Sequence, residues 1–301
     1  MSKAITFSEY GTPEVLRLSD VAPPEPGPGQ VRIRVRAASV NPLDMKIRSG
    51  LMAGAVPAVF PVTPGLDAAG VVDAVGEGAG AAVGDEVLGH TVGGSYGEYA
   101  LLGRPVAKPE ALTWEVAASL VTVGETAFRV LGQLGVQAGQ TLLVHGAAGS
   151  VGFVAVQLAV ARGITVVGTA GERDIERVTT LGATAVRYGD GWAERVKAAA
   201  PQGVDFVFDA SGAGVLADSV ALTGAGARVI TIADASAAQH GVRFSAGGSG
   251  RAGDPLPELV RLTAAGRLTV PIWRTYPLED AARAHADLEA GHNRGKAVLL
   301  P

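Results

Sequence analysis

The residues of this 301-residue chain with the clearest chemical potential form a glycine-rich turn. The turn reads His145-Gly146-Ala147-Ala148-Gly149-Ser150-Val151-Gly152 and lies between a short apolar run and a segment with helical spacing of apolar residues. In a G-x-G-x-x-G reading, Gly149 would let the backbone approach a pyrophosphate, and Gly152 would let the next helix pack closely on a sheet. The start of that helix would offer N–H donors and partial positive charge to phosphates. The turn therefore predicts a dinucleotide-binding site, against the alternative of a tight turn in a chain with 42 glycines.

The end of the following apolar run indicates which dinucleotide is bound. An NAD site usually has an acid there, about 20 residues after the turn, for the ribose 2′-hydroxyl. Here the run ends in Ala170-Gly171 without an acid, Arg173 follows shortly, and Tyr188 ends the next run. A small residue with an arginine nearby fits a 2′-phosphate and favours NADP(H). Glu172 could instead reach a ribose hydroxyl, and Arg173 could be an ordinary solvated charge.

Elements that could hold this turn are indicated from residue 113 onward, where apolar runs alternate with helix-length segments. Strands are predicted at 141–145, 164–168, 185–188, 204–209 and 227–233, and helices at 151–162, 173–181, 192–199 and 215–222. This alternation is typical of a doubly wound parallel sheet. Beyond it, residues 256–266 and 278–290 are predicted to be helices and residues 296–300 a strand.

The first 112 residues have a different pattern, rich in glycine and proline with short strand-like runs. Residues 31–36 alternate at period two, and residues 70–75 and 85–88 give further short strands. The proline-rich segment 22–29 reads as an extended loop. Many short strands between glycines and prolines predict a β-barrel-like domain.

Composition excludes several classes of protein. The chain has no cysteine, so it can form no disulfide, thiolate zinc site or iron–sulfur cluster, and any redox chemistry must come from a bound cofactor. Its formal charge is −4, whereas proteins that bind nucleic acids or anionic membranes usually present a basic surface. No apolar run approaches the roughly 20 residues of a membrane span, and no targeting segment is evident. We therefore expect a cytoplasmic protein with no nucleic-acid or membrane partner.

Several motifs occur in one order along nearly the whole chain. They are Pro26-Gly27-Pro28-Gly29-Gln30-Val31, Ser39-Val40-Asn41-Pro42-Leu43-Asp44, Pro64-Gly65-Leu66-Asp67-Ala68-Ala69-Gly70, Gly97-Glu98-Tyr99, Thr126-Ala127, Leu181-Gly182-Ala183 and Gly295-Lys296-Ala297-Val298-Leu299, together with the glycine-rich turn. With these motifs the chain resembles the zinc-free medium-chain dehydrogenase/reductases of the quinone oxidoreductase (zeta-crystallin-like) group.

The resemblance implies an α/β fold of two domains. One is a GroES-like, β-barrel-type catalytic domain formed by residues 1–112 and 265–301. The other is a Rossmann, doubly wound parallel sheet domain that binds NADP, formed by residues 113–264. The resemblance also implies an active site in the cleft between the domains, and a homodimer or homotetramer that joins edge strands of the nucleotide domains.

Zinc-dependent relatives of this group hold the metal with an early Cys, with the His of a Gly-His-Glu motif, and with a later Cys or Asp. Here Asn41 lies in the first of these segments, and Gly65-Leu66-Asp67 has Leu where the His would be. We therefore predict no metal site. Without that Lewis acid, hydride transfer remains feasible to an acceptor that is already electrophilic, such as a quinone or an α,β-unsaturated carbonyl.

The resemblance also implies functional residues. Those expected at the cofactor are Asn41, Pro42, Thr122, Thr126, Gly146, Ala147, Ala148, Gly149, Ser150, Val151, Gly152, Thr169, Ala170, Gly171, Arg173, Tyr188, Ser211, Ile232, Ala233, Phe244 and Lys296. Asn41 would also lie near the substrate carbonyl, although it could instead only order its loop. Tyr96 or Lys46 could supply a proton, as could solvent; Lys46 stands where many members carry Tyr.

The expected function is that of an NADPH-dependent, zinc-independent oxidoreductase transferring hydride to a small hydrophobic quinone or enone. The alternatives are a 2-alkenal or enoyl double-bond reductase and, outside enzymes, an NADPH-binding sensor or structural protein with little turnover. Gly93-Gly94-Ser95-Tyr96-Gly97 matches the G-x-S-x-G motif of hydrolases, but a strand-like segment follows it where that motif requires a helix. Among the histidines, His145 is expected to be a hydrogen-bonded part of the structure, and His285 with Glu289 to form a solvated face.

Overall fold

The computed structural model describes residues 1–247, 254–291 and 294–301. In chain order its strands are β1 (Ser2–Thr6), β2 (Arg17–Val21), β3 (Val31–Val40), β4 (Asp67–Val75), β5 (Glu86–Val92), β6 (Tyr99–Leu102), β7 (Val106–Ala107), β8 (Thr141–His145), β9 (Thr165–Ala170), β10 (Thr184–Arg187), β11 (Phe206–Asp209), β12 (Val229–Thr231), β13 (Arg243–Phe244), β14 (Ile272–Pro277) and β15 (Lys296–Leu300). Its α-helices are α1 (Pro42–Arg48), α2 (Trp114–Leu134), α3 (Ser150–Ala161), α4 (Ile175–Thr179), α5 (Trp192–Ala199), α6 (Leu216–Thr223), α7 (Leu256–Ala264) and α8 (Ala281–Glu289).

The chain divides into two compact units. Unit 1 contains residues 1–122 and 256–301, and unit 2 contains residues 123–255. The division falls inside α2, between Thr122 and Val123. The domain boundaries expected after residue 112 and before residue 265 stay predictions about where the functional domains divide.

Unit 2 is built on a six-stranded sheet in which every pair is parallel. The strand order is β10-β9-β8-β11-β12-β13. Counted along the unit this is the order 3-2-1-4-5-6 of the doubly wound fold, which confirms the predicted fold class. The sheet forms because its strands are short apolar runs that are buried when helices cover both faces; Leu143, Val207 and Val229 have no exposed surface.

The strand order reverses between β8 and β11, and the glycine-rich turn leaves β8 at that point. Gly146 has φ +72°, a left-handed conformation that favours glycine. Gly152 lies in the first turn of α3, where an added Cβ would be 2.2 Å from the Gly146 carbonyl oxygen. These two positions need glycine for the turn to close and for α3 to pack against the sheet.

Unit 1 is built on a sheet that closes on itself. The strands run in the order β14-β15-β3-β4-β5-β6, β7 pairs with β5, and β6 pairs back onto β3. The ten-residue strand β3 makes this possible, because residues 31–34 pair with β6 while residues 38–40 pair with β15. Its alternating apolar side chains, such as Ile33 and Val35, fill the interior with Leu102 and Leu299. The barrel-like domain expected from the sequence is present.

Several predicted elements differ from the structure in length. The helix predicted at 173–181 is a 3₁₀ turn (Glu172–Asp174) followed by the short α4, and the strand predicted at 227–233 is a 3₁₀ turn (Gly226–Arg228) followed by the three-residue β12. Sequence periodicity does not separate a tight 3₁₀ turn from the element that follows it. The residues after Gly97 form β6, so the hydrolase elbow is excluded by its missing helix. Within the described residues, no helix has the length and apolar character needed to cross a membrane.

Replacing Gly152 tests the turn directly. We expect Gly152→Ala to lower the free energy of unfolding by about 1–3 kcal/mol, because its Cβ would meet the backbone carbonyl of Gly146. Gly132→Ala in α2 is the matched control: a Cβ there has no atom within 4 Å, so a gain of about 0.4–1 kcal/mol is expected. Urea unfolding followed by circular dichroism measures both. Equal stabilities of the two variants would contradict the packing described here.

Candidate active site

The glycine-rich turn of unit 2 presents backbone donors at the carboxyl edge of the parallel sheet. Gly149 precedes α3 in an extended conformation, and its N–H donates to the Gly146 carbonyl at 2.9 Å. Ser150 and Val151 begin α3, and N–H groups in a first helical turn have no acceptor within their own helix. Gly149 is exposed, and Ser150 and Val151 are half-buried. This surface can bind an anionic group such as a pyrophosphate.

Buried side chains beneath the turn hold it in place. The Gly146 N–H donates to Thr169 Oγ1 at 3.2 Å, and the Thr169 hydroxyl lies 3.3 Å from His145 Nδ1. On its other side, His145 Nε2 lies 3.2 Å from Ser219 Oγ on α6. Burial lowers the pKa of His145 to about 4, although the charge of Asp209 opposes this shift. The neutral imidazole therefore links α6, β9 and the turn, in the structural role expected for His145.

The residues that follow β9 and β10 lie next to each other at the same edge of the sheet. An added Cβ on Gly171 would lie 3.1 Å from the Tyr188 hydroxyl, so the two residues are adjacent. Arg173 lies on the exposed 3₁₀ turn that follows Gly171, and 61% of Tyr188 is exposed. Glu172, the acid that could have favoured NAD, is 3.7 Å from Arg187 in an exposed ion pair.

The remaining residues of the predicted cofactor set in unit 2 follow the other strands. Asp209 ends β11, and its Oδ1 accepts from the Ser211 N–H and hydroxyl at 2.9 and 2.7 Å. Its Oδ2 accepts from Thr231 at the end of β12, whose hydroxyl in turn accepts from the Ala233 N–H. Ser211 lies beside the glycine-rich turn, since an added Cβ on Gly146 would be 3.4 Å from it. Ile232 also follows β12, Phe244 ends β13, and Thr126 lies on α2.

In unit 1, Asn41 precedes α1 and is almost completely buried. Its backbone N–H donates to Asp44 Oδ2 at 2.8 Å, its amide Nδ2 donates to Asp67 Oδ2 at 2.9 Å, and its Oδ1 accepts from Lys296 Nζ at 2.6 Å. Lys296 also donates to the Val40 carbonyl at 2.8 Å. These bonds fix the orientation of the amide, and Pro42 at the first helical position starts α1 directly after it.

Asp67 is the centre of this network, because donors from several elements reach its two oxygens. Oδ2 accepts from Ser39 as well as Asn41, and Oδ1 accepts from Thr122 Oγ1 at 2.5 Å and faces His90 Nδ1 at 3.3 Å. Burial alone would raise the pKa of Asp67, but the hydrogen bond and charge of His90, with Lys296 and Thr122, outweigh it and lower the pKa. Asp67 is therefore a carboxylate at neutral pH.

A second buried series of hydrogen bonds joins Asp44 to helix α8. The Tyr96 hydroxyl donates to Asp44 Oδ2 at 3.0 Å and lies 3.0 Å from His285 Nε2, and His285 Nδ1 lies 3.3 Å from an Arg48 guanidinium nitrogen. Arginine can only donate, so His285 Nδ1 accepts, its Nε2–H donates to Tyr96, and the Tyr96 O–H donates to Asp44. Burial, aided by the charge of Arg48, lowers the pKa of His285 to about 3. The solvated face expected for His285 is wrong: the side chain is fully buried.

Asp44 differs from Asp67 in its charge state. Burial raises the pKa of Asp44 to about 7; the Asn41 backbone hydrogen bond opposes the shift, and the charge of Asp67 adds to it. Burial also raises the pKa of Tyr96 well above its usual value. Burial lowers the pKa of Lys296, and the two carboxylates oppose that change. The cluster therefore holds one firmly ionised carboxylate beside one that titrates near neutrality.

The sequence-predicted residues of unit 1 occupy different places in this cluster. Asn41, Lys296, Thr122 and Tyr96 all belong to the hydrogen-bonded network. Lys46 lies on α1 and is half-buried, and in the described part of the chain its ammonium group has no hydrogen bond to this network. Sequence reasoning did not select Asp67 or His285 as site residues. The available signal in the sequence was the Pro64–Asp67 motif, in which Asp67 follows Leu66, the position where zinc-dependent relatives have a His ligand.

The pH dependence of stability tests the state of Asp44. A carboxyl whose folded pKa is raised from about 3.9 to about 7 favours folding fully below about pH 4, and this contribution is lost as the pH rises to about 7. Relative to Asp44→Asn, the wild-type protein should therefore lose stability over that range, by at most about 1.4 kcal/mol per pH unit. Urea unfolding at several pH values measures the difference. Parallel curves for the two proteins would show that Asp44 titrates normally.

The chain is similar to known proteins along its whole length. Residues 27–205 match the alcohol dehydrogenase GroES-like domain family, and residues 181–299 match the zinc-binding dehydrogenase family. Human quinone oxidoreductase is 34% identical, with 100% of this chain and 98% of that protein covered. A mycobacterial protein solved in complex with NADPH is 31% identical over both full chains, with a TM-score of 0.89. Escherichia coli quinone oxidoreductase, also solved with NADPH, is 26% identical over 99% of this chain and 100% of that one, with a TM-score of 0.88.

The zinc named in one family description does not fit the donors of this chain. The chain has no cysteine, Leu66 offers no donor atom, and both ends of the Asn41 amide are bonded to Asp67 and Lys296. Among residues 1–247, 254–291 and 294–301, no group of three His, Asp or Glu side chains could hold a metal ion. The full-length relatives and the two units with their predicted folds confirm the resemblance found in the motifs, and the chain belongs to the quinone oxidoreductase family of medium-chain dehydrogenase/reductases.

Proposed function

We propose that this chain is an NADPH-dependent, zinc-independent oxidoreductase that transfers hydride to quinones or α,β-unsaturated carbonyls. The observation that carries the proposal is the glycine-rich turn at the point where the parallel strand order reverses, with Ser211 adjacent to it. Ligands of doubly wound sheets bind at this place. When bound, the reduced nicotinamide would supply the hydride. The family membership supports an oxidoreductase rather than a binding protein.

The phosphate-binding part of the proposal assigns roles to residues of unit 2. Ala147, Ala148, Gly149, Ser150, Val151 and Gly152, with Gly146, would bind the pyrophosphate, through the backbone N–H groups at the start of α3. Thr126, Thr169, Ser211, Ile232, Ala233 and Phe244 would line the rest of the nucleotide site. Apart from Thr126 on α2, these residues fit a dinucleotide because the strands that they end or follow all end at one edge of the sheet.

The preference for NADPH would come from the end of β9. Ala170 and Gly171 leave no carboxylate at the strand tip, Arg173 follows on an exposed turn, and Tyr188 lies against Gly171. Arginine can bind a 2′-phosphate with two donors. Glu172 would not favour NAD strongly, because Arg187 already faces its carboxylate at 3.7 Å. The two solved relatives that hold NADPH support the same choice.

The acceptor side of the proposal rests on the network around Asp67 in unit 1. Asn41 would lie near the acceptor's carbonyl oxygen, with Pro42, Thr122 and Lys296 around it, and Tyr96 or Lys46 remain candidates for supplying a proton. A substrate activated by conjugation needs no Lewis acid, and the donors here do not suit zinc. The chain would contribute orientation and preorganised hydrogen bonds.

The proposal also includes the assembly implied by the resemblance and the location expected from the sequence. A homodimer or homotetramer would join edge strands of the nucleotide sheets; β10 and β13 are the outer strands of the sheet in the described part of the chain. The protein would act in the cytoplasm on small hydrophobic substrates.

A turnover screen tests the proposed function. We expect the protein to oxidise NADPH in the presence of 1,2-naphthoquinone, an enal or an enone, measured as loss of nicotinamide absorbance against a no-enzyme control. Turnover of the enal alone would assign the chain to 2-alkenal or enoyl double-bond reduction. NADPH binding by calorimetry without turnover of any electrophile would reject the enzyme and favour a sensor.

Replacing Arg173 tests the cofactor preference. NADPH should bind more tightly than NADH, and Arg173→Ala should reduce the preference by about tenfold, or ~1.4 kcal/mol, because a charge-assisted contact to the 2′-phosphate is lost. Arg267→Ala, an exposed arginine of unit 1, is the matched control and should leave both affinities unchanged. Isothermal titration calorimetry with both nucleotides provides the measurement. Equal affinities of NADPH and NADH in the wild-type protein would contradict the assignment.

A further inference from the structure

His90 is a histidine that the predicted site does not include. It lies on β5 directly opposite Asp67 on β4, and its Nδ1 is 3.3 Å from Asp67 Oδ1. Asp67 has no exposed surface, whereas 49% of the His90 side chain is exposed. The imidazole therefore contacts a buried carboxylate and is itself half exposed. This is the arrangement of an Asp–His pair that can exchange protons.

Asp67 determines which ring nitrogen of His90 takes part. Its carboxylate is ionised and can only accept, and it already accepts from Ser39, Asn41 and Thr122. An unprotonated Nδ1 would place its lone pair toward an ionised oxygen 3.3 Å away, so Nδ1 carries the proton. Protonation and deprotonation of the ring then take place at Nε2.

The same carboxylate joins His90 to the proposed hydride-transfer site. Asn41 donates to one oxygen of Asp67 and His90 faces the other. The end of β5 is also fixed to the motif around Asp67, since the Thr91 N–H donates to the Leu66 carbonyl at 2.9 Å and its hydroxyl to the Gly65 carbonyl at 3.0 Å. His90 is therefore a rigidly placed neighbour of Asn41.

Among the described contacts, the carboxylate of Asp67 favours the protonated form of His90. Asp67 on β4 is the carboxylate that touches the imidazole; Thr122 on α2 contributes a neutral hydroxyl to the same oxygen. Lys296 on β15 and Asp44 on α1 lie behind Asp67, on the Asn41 side. Lys296 opposes protonation of His90, and an ionised Asp44 favours it.

The other candidates for a proton donor are less suited to that step. The Tyr96 hydroxyl has no exposed surface, and its proton is directed to Asp44 by the series of hydrogen bonds from Arg48. Its pKa lies well above the usual value because it is buried. Lys46 has no hydrogen bond to the network in the described residues.

We propose that His90 is the acid that supplies the proton in the reduction, from Nε2 to the carbonyl oxygen of the acceptor. This inference rests on the proposed function. The acceptor gains two electrons and a hydrogen as hydride from the reduced nicotinamide; the Nε2–H bond of the imidazolium breaks and an O–H bond forms on the acceptor. The neutral imidazole keeps its Nδ1–H toward Asp67 and recovers a proton from water.

The decisive variant is His90→Asn, because the Asn amide can donate to Asp67 as Nδ1 does but cannot release a proton. We expect kcat to fall by about 100-fold with an enone, the lower end of the range for general acid catalysis, while calorimetry gives an unchanged NADPH affinity. The wild-type kcat should fall as the pH rises and His90 loses its proton, and this limb should be absent in His90→Asn. His240→Asn, a half-buried histidine of unit 2, is the matched control and should behave as wild type.

A second variant separates proton donation from structural support. In His90→Ala, added imidazole should restore part of the lost kcat, because the position is half exposed. The inference would be overturned if His90→Asn had the activity and the pH profile of the wild-type protein. It would be overturned equally if kcat fell in His90→Ala but not in His90→Asn, since the histidine would then only support Asp67. If none of the electrophiles tested supports NADPH oxidation by the folded wild-type protein, the proposed function itself fails. If the wild-type protein turns over and His90→Asn has the same activity, only the role of His90 fails.

Discussion

The carboxylate of Asp67 is a charge without exposed surface, and burying it requires that the surrounding elements meet it with donors. Ser39 on β3, Asn41 before α1, Thr122 on α2 and His90 on β5 do so, and Lys296 on β15 adds a positive charge one hydrogen bond away. Ser39 and Asn41 belong to one stretch, so four parts of the sequence that are distant from one another have one common requirement. The strand order of the unit 1 sheet brings β15, β3, β4 and β5 side by side, because β3 pairs with both β4 and β15 and β4 pairs with β5. The position of Asn41 is a consequence of how that charge is accommodated.

The second buried series of hydrogen bonds, from Arg48 through His285 and Tyr96 to Asp44, has a fixed donor-to-acceptor order. Because the Arg48 guanidinium can only donate, each hydrogen bond from His285 through Tyr96 to Asp44 has one possible polarity. Asp44 Oδ2 thus receives donors from Tyr96 and from the Asn41 backbone, and any proton on the carboxyl belongs on the other oxygen. Helix α8, near the C-terminal end of the chain, in this way holds the start of α1. The permanent cation of Arg48, at one end of this row of hydrogen bonds, therefore determines where the hydrogens lie as far as Asp44, at the other end.

The parallel sheet and its turn were predictable because their signals are local. The strand at 141–145, the helix at 192–199 and the strand at 296–300 match the structure residue for residue, since each is a continuous apolar run or an amphipathic period bounded by glycine or proline. The seven-residue α1 and the short strand pair β1–β2 gave no comparable signal. The glycine-rich turn was found because its chemistry lies in eight consecutive residues.

The network of unit 1 was not predictable in the same way. Tyr96 and His285 are separated by 189 residues, and Arg48 and His285 by 237. The pair His285 and Glu289 has the spacing of an exposed helix face, and the same spacing lets both side chains contact the buried Arg48. The family motifs contain Asn41, Asp44, Asp67 and Lys296 but do not show that these side chains bond to one another. Contacts between distant segments leave no period in the sequence.

The proposed reaction makes two demands on this network that conflict physically. The group that orients the acceptor must be rigid, which favours burial and complete hydrogen bonding, as at Asn41 and Lys296. The group that delivers a proton must be able to recover it from water, which requires exposure. Asp67 satisfies both demands because it has two oxygens, one facing the buried amide and the other facing the half-exposed imidazole of His90. A single buried carboxylate can therefore fix one partner and stabilise the charged form of the other, without a metal ion in either role.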